Sequence, residues 1–365
     1  GGTVNAFYVQ GTQKDTDAAT GQTTTTDRAS VQNGLLPGWI NFTATTRQKG
    51  LDIKAHFGFA PGINNNSQIV GLPTGAQVDL ADGFSKVDSR NIYFQFGNAR
   101  FGTLKLGRDI GLFMANPILS DMTLLGVGGT VRASEPFNTS FGMIGHGYLY
   151  AGFQPQLTYT TPTFGGFSAS AGVFNPSQFD TTTGNLGTEK KVPQFQGVVS
   201  FERKGPLSGK VWAAGVYNRT DGTGGQEAVG LEGGAKVGFG PAELLVSGFT
   251  AKGLSISTIG AQFLVIPDAQ GDRLESDGYF AQLTYKVIPD LKLGANYGRN
   301  RDKDLTAAGD ARRRAYVFGA YYSLTSAITL VGEYVNEKAT DILGGTGVLS
   351  EQKANSVSFG GILFF

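Results

Sequence analysis

The stretch Gly102-Thr103-Leu104-Lys105-Leu106-Gly107-Arg108-Asp109 alternates, with Leu104 and Leu106 on one face and Thr103 and Lys105 on the other. That period of two predicts a strand with one apolar and one polar face. The residues after it decide the fold. Residues 110–151 contain no convincing strand, and alternation resumes only at 154–161, before the turn Pro162-Thr163-Phe164-Gly165-Gly166. A structureless interval of this length inside a compact domain counts against the strands around it, unless it has a task of its own.

On both sides of this interval one unit recurs: two alternating runs joined by a short turn. Upstream, 4–9 reads as a strand and 11–37 as a long loop of Thr, Gln and Asp. The runs 40–45 and 51–59 flank Gln48-Lys49-Gly50, and 61–87 reads as a second long loop. Next, 91–96 and 102–108 flank Asn98-Ala99-Arg100. Downstream, the pairs are 152–161 with 167–174, 194–203 with 209–218, 227–237 with 242–251, 278–287 with 291–299, and 315–323 with 328–337. A final strand covers 356–365. About sixteen strands of about ten residues thus alternate with short turns and long polar loops.

A soluble sandwich or propeller has no reason to collect every long connection at one end. A transmembrane barrel does, because one rim carries short turns and the other long loops. The expectation is therefore all-β: one 16-stranded antiparallel transmembrane β-barrel over residues 1–365, with short periplasmic turns and long extracellular loops. Its polar faces point to a water-filled lumen and its apolar faces to lipid. Val357, Phe359, Gly361, Leu363 and Phe365 share one parity, and Tyr8, Tyr217, Tyr285, Tyr322 and Tyr334 near strand ends fit interfacial girdles.

Composition agrees with this and removes other classes. The chain has 365 residues, Gly 55, Cys 0 and His 2, so neither a disulfide framework nor a zinc site of several His or Cys ligands is available. No cofactor or metal is expected. No apolar run reaches the roughly 18 residues of a transmembrane helix. A net charge of +1 gives no reason to expect nucleic acid. The start at Gly1-Gly2, without a charged and apolar leader, reads as a mature or trimmed end. His56 and His146 lie in no nucleophile signature, and Asp15-x-Asp17 lacks the rest of a calcium loop. Gly126-Val127-Gly128-Gly129 does not join a strand to a helix as a phosphate loop must. It reads instead as the means by which the central interval bends. An enzyme is not expected.

Four stretches resemble the trimeric general porins of Gram-negative outer membranes: residues 101–108, 159–170, 318–325 and the terminal Phe365. The resemblance implies a homotrimer in the outer membrane, surrounded by its lipids and lipopolysaccharide, through which small hydrophilic solutes diffuse. It implies that 110–151, the third long loop, folds into the lumen as the constriction, with acidic residues facing wall arginines. The second long loop, 61–87, would reach a neighbouring subunit, and Phe365 would be an assembly signal.

On this reading Arg108 takes a wall-arginine position. A strict period of two puts it instead with Leu104 and Leu106, so a bulge at Gly107 is the device that would re-aim it. The constriction set is Lys105, Arg108, Asp109, Asp121, Arg132 and Glu135; Arg47, Lys54 and His56 line the lumen. Two arginines of the family pattern are absent, where Trp39-Ile40-Asn41 and Thr160-Thr161 stand, with Arg132 as a possible compensation. Arg312-Arg313-Arg314 reads as a basic triplet at the rim, suited to lipopolysaccharide phosphates or to steering anions. The charges nearly cancel, which predicts modest selectivity. The alternatives are a channel biased toward small organic anions and a non-conducting surface-binding barrel.

Overall fold

The computed structural model describes residues 1–63, 87–129, 139–176, 191–221, 227–254, 268–306, 309–343 and 348–365. Arg132, Glu135 and almost all of the second long loop lie outside the described residues. The strand segments are β1 (Gly2–Asp17), β2 (Thr23–Gln32), β3 (Trp39–Gln48), β4 (Leu51–Pro61), β5 (Val87–Asn98) and β6 (Gly102–Ile110). After the central interval come β7 (Phe153–Thr160), β8 (Phe167–Phe174), β9 (Gln194–Arg203), β10 (Leu207–Arg219), β11 (Glu227–Phe239) and β12 (Ala242–Lys252). The last five are β13 (Glu275–Ile288), β14 (Leu291–Thr306), β15 (Gly309–Ser323), β16 (Ile328–Leu343) and β17 (Val348–Phe364). Each pairs antiparallel with its neighbours, and β17 closes onto β1 with Thr3 opposite Phe364. The termini are tied as well: Gly2 N donates to Phe365 O at 2.8 Å and Phe365 N to Gly2 O at 3.0 Å. Closure of β17 onto β1 completes the ring of paired strands, the condition for β-structure in lipid.

Seventeen segments make sixteen staves because β2 and β3 share one. Both lie against β1, β2 from Phe7 opposite Gln32 upward and β3 at Gly2 opposite Ile40. Residues 33–38 interrupt that stave: Asn5 Oδ1 accepts Gly34 N at 2.9 Å, and Leu35 N donates to Gly126 O at 2.8 Å. The expected loop over 11–37 is thus corrected to a hairpin, β1–β2, followed by a break. Thr23-Thr24-Thr25-Thr26 favour a strand by β-branching, but nearly all of β2 is exposed. With water on both faces there is no alternation to read. Two further long loops are corrected as well: β14 and β15 pair out to Thr306 and Gly309, and β16 and β17 out to Leu343 and Val348, with Leu305, Ala311, Ala339 and Ile342 buried against Leu274. Arg312-Arg313-Arg314 therefore sits within β15, not before it.

The wall is inside out relative to a soluble protein. Phe42, Phe57, Phe94, Leu157, Leu231, Phe318 and Phe359 are all exposed on the outer face, while Gln154, Gln156, Gln282, Asn300 and Ser356 are buried on the inner one. An exposed belt of large apolar side chains around a polar interior is a lipid-facing surface.

Candidate functional site

The central interval begins where β6 ends. It contains one helical turn and a half, α1 (Ala115–Ser120), and a 3₁₀ turn at Met122–Leu125. Its backbone is held by side chains projecting from far-off strands. Gln196 Oε1 of β9 accepts Leu112 N at 2.7 Å, and Glu232 Oε1 of β11 accepts Met114 N at 3.0 Å. Gln282 Oε1 of β13 accepts Met122 N at 2.7 Å, and Asn300 Oδ1 of β14 accepts Gly147 N at 2.6 Å. Glu333 Oε2 of β16 accepts both Val127 N and Gly128 N at 2.8 Å, and Tyr321 OH donates to its Oε1 at 2.7 Å. This contact explains the glycines of 126–129: a Cβ on Gly126 would lie 2.2 Å from Glu333 Oε1, and Gly128 has φ 64°.

Between these clamps the interval packs dry. Phe113, Met114, Ile118, Met122, Val127, Met143 and Tyr148 form one buried cluster with Trp212, Phe249, Phe280, Val317, Val331 and Val335, which belong to β10 through β16. Apolar residues at inward positions of those strands give the segment a side to rest on. On the opposite wall, Lys54, Arg90, Lys105 and Arg108 lie outside that cluster, while Gln154, Gln156 and Thr158 of β7 are buried.

The predicted residues divide accordingly. Asp121 is 3 % exposed and is spent inside the loop. Its carboxylate accepts Tyr148 OH at 2.6 Å, Thr123 N at 2.9 Å and Met143 N at 3.3 Å. Burial pushes that carboxyl up, and these donors pull it back. Asp121 is the sole carboxylate among the described residues of 111–129 and 139–152. Asp109 is also engaged, by the Lys105 ammonium and by Asn91 Nδ2 at 2.6 Å. Lys54 and Lys105 lie 5.4 and 4.9 Å from the centroid of the Tyr93 ring, and the His56 ring is 5.2 Å from it. Arg47 pairs with Asp52 at 3.4 Å beside the turn at 49–50, away from the others.

Arg108 is not re-aimed by a bulge. β6 keeps continuous register with β5 and β7, with Arg108 opposite Ile92 and Pro155. Instead Gly107 has φ 131°, a conformation that L-residues rarely adopt, and Arg108 lines the same cavity as loop residues 118, 119, 124 and 150. The register shift lies one strand earlier, where Gly58 faces Asn91 and Phe59 faces Ser89. That shift leaves Arg90 between partners. Arg90 places its guanidinium 5.9 Å from the Trp39 ring and 5.6 Å from the Phe153 ring, with Asp88 at 3.6 Å. Sequence reasoning misses Arg90: it begins the strand at Asn91, and a register shift leaves no periodic signal. Trp39, which stands where the family pattern has an arginine, therefore has an arginine beside it.

The resulting cavity, of about 320 Å³, is bounded by Arg90 and Arg108 with Trp39, Tyr150 and Phe153, and by Ile118, Leu119, Leu124 and Phe141 of the loop. Burial pushes the Tyr150 phenol up, and the two arginines draw it back down.

On the outer face, alternate residues of β15 point outward. Arg314 stands between Arg299 and Lys338, above the ring pair Tyr297–Tyr316 at 4.6 Å, and Lys338 pairs with Glu351. Arg313 points inward and is 5 % exposed.

The sequence profile of the Gram-negative porin family matches residues 1–341. Comparison with curated proteins finds no match. Among solved structures, the chain is similar to the anion-selective porin from Comamonas acidovorans at 18 % identity and TM-score 0.64, covering 100 % of this chain and 98 % of that one. It is similar to the outer-membrane channel DcaP of Acinetobacter baumannii at 14 % identity and TM-score 0.59, covering 98 % and 96 %. Similarity to the trimer form of OmpT from Vibrio cholerae is 15 % identity at TM-score 0.56, covering 100 % and 99 %. These likenesses carry the barrel fold, and the family profile spans nearly the whole chain. The chain belongs to the Gram-negative porins and is a passive-diffusion channel of the bacterial outer membrane.

Proposed function

We propose that residues 110–151 narrow this channel and that the narrowed passage prefers small anions over cations. One observation carries the reading: among the described residues of the loop and of the wall around Arg108, the charges left uncompensated are cationic. Asp121 is consumed inside the loop, Asp109 by Lys105 and Asn91, and Glu232 and Glu333 by the loop backbone. Arg108 forms no hydrogen bond or ion pair among the described residues, and Lys54, over the Tyr93 ring, stands on the same wall. A polar-lined pore selects by such fixed charges where dielectric screening is reduced. The similarity to an anion-selective porin supports the sign. In a planar bilayer under a potassium chloride gradient, the reversal potential is expected on the chloride side of zero. A value on the potassium side removes the anion preference.

The assembly is a homotrimer in this reading, supported by the family and by the similarity to a trimeric form of OmpT. The row Arg299–Arg314–Lys338 holds phosphates of outer-membrane lipid. Like charges directly opposite on neighbouring strands are unfavourable unless an anion lies between them, and the tyrosines beneath mark the interface with lipid. Native mass spectrometry of the detergent-extracted protein is expected to give three times the chain mass, with retained phosphorylated lipid that Arg299→Ala/Arg314→Ala loses. A monomer mass removes the trimer, and lipid retention equal in both proteins removes the lipid site.

A further inference from the structure

A constriction that works by a transverse field needs carboxylates opposite its cations. Here the loop residues that line the cavity with Arg90 and Arg108 carry none among the described residues. Ile118, Leu119 and Leu124 are among them, and Leu119 is 58 % exposed although it sits on a segment whose other apolar side chains are largely buried. Single exposed leucines are ordinary on a surface. This one lines a cavity that Leu124 and two guanidinium groups line as well. Trp39 and Phe153 flank Arg90 and keep it in place by their ring faces. Asp88, the one carboxylate in the lining, pairs with Arg90 and leaves Arg108 as the uncompensated cation.

The cavity therefore has a cationic side, an apolar side and a phenol, Tyr150, between them. Its volume of about 320 Å³ lies at the lower end of small-molecule sites, roughly 300–1,000 Å³. A hydrated inorganic anion uses only the cationic side. A polyhydroxylated acid uses that side too, but leaves its hydroxyls against leucine, where they lose hydrogen bonds to water. A carboxylate with an apolar body uses both: the guanidinium fork fits a carboxylate, and the apolar body covers the leucines.

We propose that this cavity is a binding site for small monocarboxylates with an apolar, ring-sized body, the carboxylate at Arg108 and Arg90 and the body at Leu119 and Leu124. The proposal rests on the reading of 110–151 as the pore constriction and assigns that constriction a solute class. Transient occupancy raises the local concentration of such acids at the narrowest point, so they are taken up ahead of hydrophilic anions of equal charge.

The test is block of single-channel current in potassium chloride by 3-phenylpropanoate, with gluconate, 3-phenylpropan-1-ol and 3-phenylpropylammonium as probes lacking one feature each. The half-blocking concentration of 3-phenylpropanoate is expected to be about tenfold below that of any of the three, a difference that corresponds to about 1.4 kcal/mol. Leu119→Asn, at an exposed position, is expected to bring 3-phenylpropanoate to the level of gluconate. Arg108→Gln is expected to weaken block by both anions. Equal block by 3-phenylpropanoate and gluconate in the wild type overturns the proposal, as does block by the alcohol as strong as by the acid. If the reversal potential still lies on the chloride side, those outcomes leave the anion-preferring pore standing. A reversal potential on the potassium side removes that reading by itself.

Discussion

Glu333→Ala is expected to loosen the central loop while leaving the barrel assembled. The Glu333 carboxylate accepts three buried hydrogen bonds, from Val127 N, Gly128 N and Tyr321 OH. Alanine leaves those donors without an acceptor, at about 1–3 kcal/mol each. Even the low end, about 3 kcal/mol together, raises the fraction of time the 126–129 clamp is open about a hundredfold. Amide exchange at Val127 and Gly128 should accelerate by about that factor, and single-channel current should become noisier with a higher mean. Glu333→Gln retains one carbonyl acceptor and should fall between the two. The sheet is unaffected because Glu333 pairs through its backbone with Ser358 and Gly319, which the substitution keeps. Exchange rates and conductance equal to the wild type would mean that the apolar cluster alone seats the loop.

The clamp also marks where sequence reading stops. The closed barrel is legible because lipid imposes alternation, and the pairing of the last strand with the first is legible with it, though alternation fixes only which faces match and not the register. Where water bathes both faces, as along β2, pairing continues without alternation and the strand reads as a loop. The far ends of β14 to β17 bury one face, but inward Asn300, Asp302, Arg313 and Gln352 are polar there too, so no apolar alternation shows. Within the lumen the difficulty is different. Polar residues at inward positions read as water-facing, yet Gln196, Glu232, Gln282 and Glu333 are buried beneath the loop. A sign of this is present in the chain: Tyr316, Val317 and Phe318 are three consecutive large residues of β15, and Val331 and Val335 are apolar at inward positions of β16. A strand apolar on both faces needs cover on the inside too. The acids of the candidate site are the least legible, because a carboxylate in a loop looks the same whether it faces the pore or, like Asp121, caps a turn. Arg90 depends on a register shift at Asn91, which periodicity cannot register.

Arg108→Glu is expected to shift the chloride-to-potassium permeability ratio roughly a hundredfold toward potassium. The guanidinium lines the cavity without a partner among the described residues, so its charge acts on passing ions directly. At about 8 Å and an effective dielectric of about 60, one unit charge contributes about 0.7 kcal/mol. Reversal changes two units, about 1.4 kcal/mol against chloride and about 1.4 kcal/mol in favour of potassium, so the ratio moves by about 2.8 kcal/mol, roughly a hundredfold. The shift should shrink in molar salt, where the Debye length falls to about 3 Å. Arg314→Glu is the matched control, since Arg314 is equally charged but points to the outer face beside Arg299 and Lys338. Its effect on the ratio should be small at every salt concentration. Both variants must keep the heat resistance of the wild-type assembly for the comparison to count. Equal shifts from the two positions would mean that selectivity is set by the charge of the whole molecule, and would detach Arg108 from the constriction.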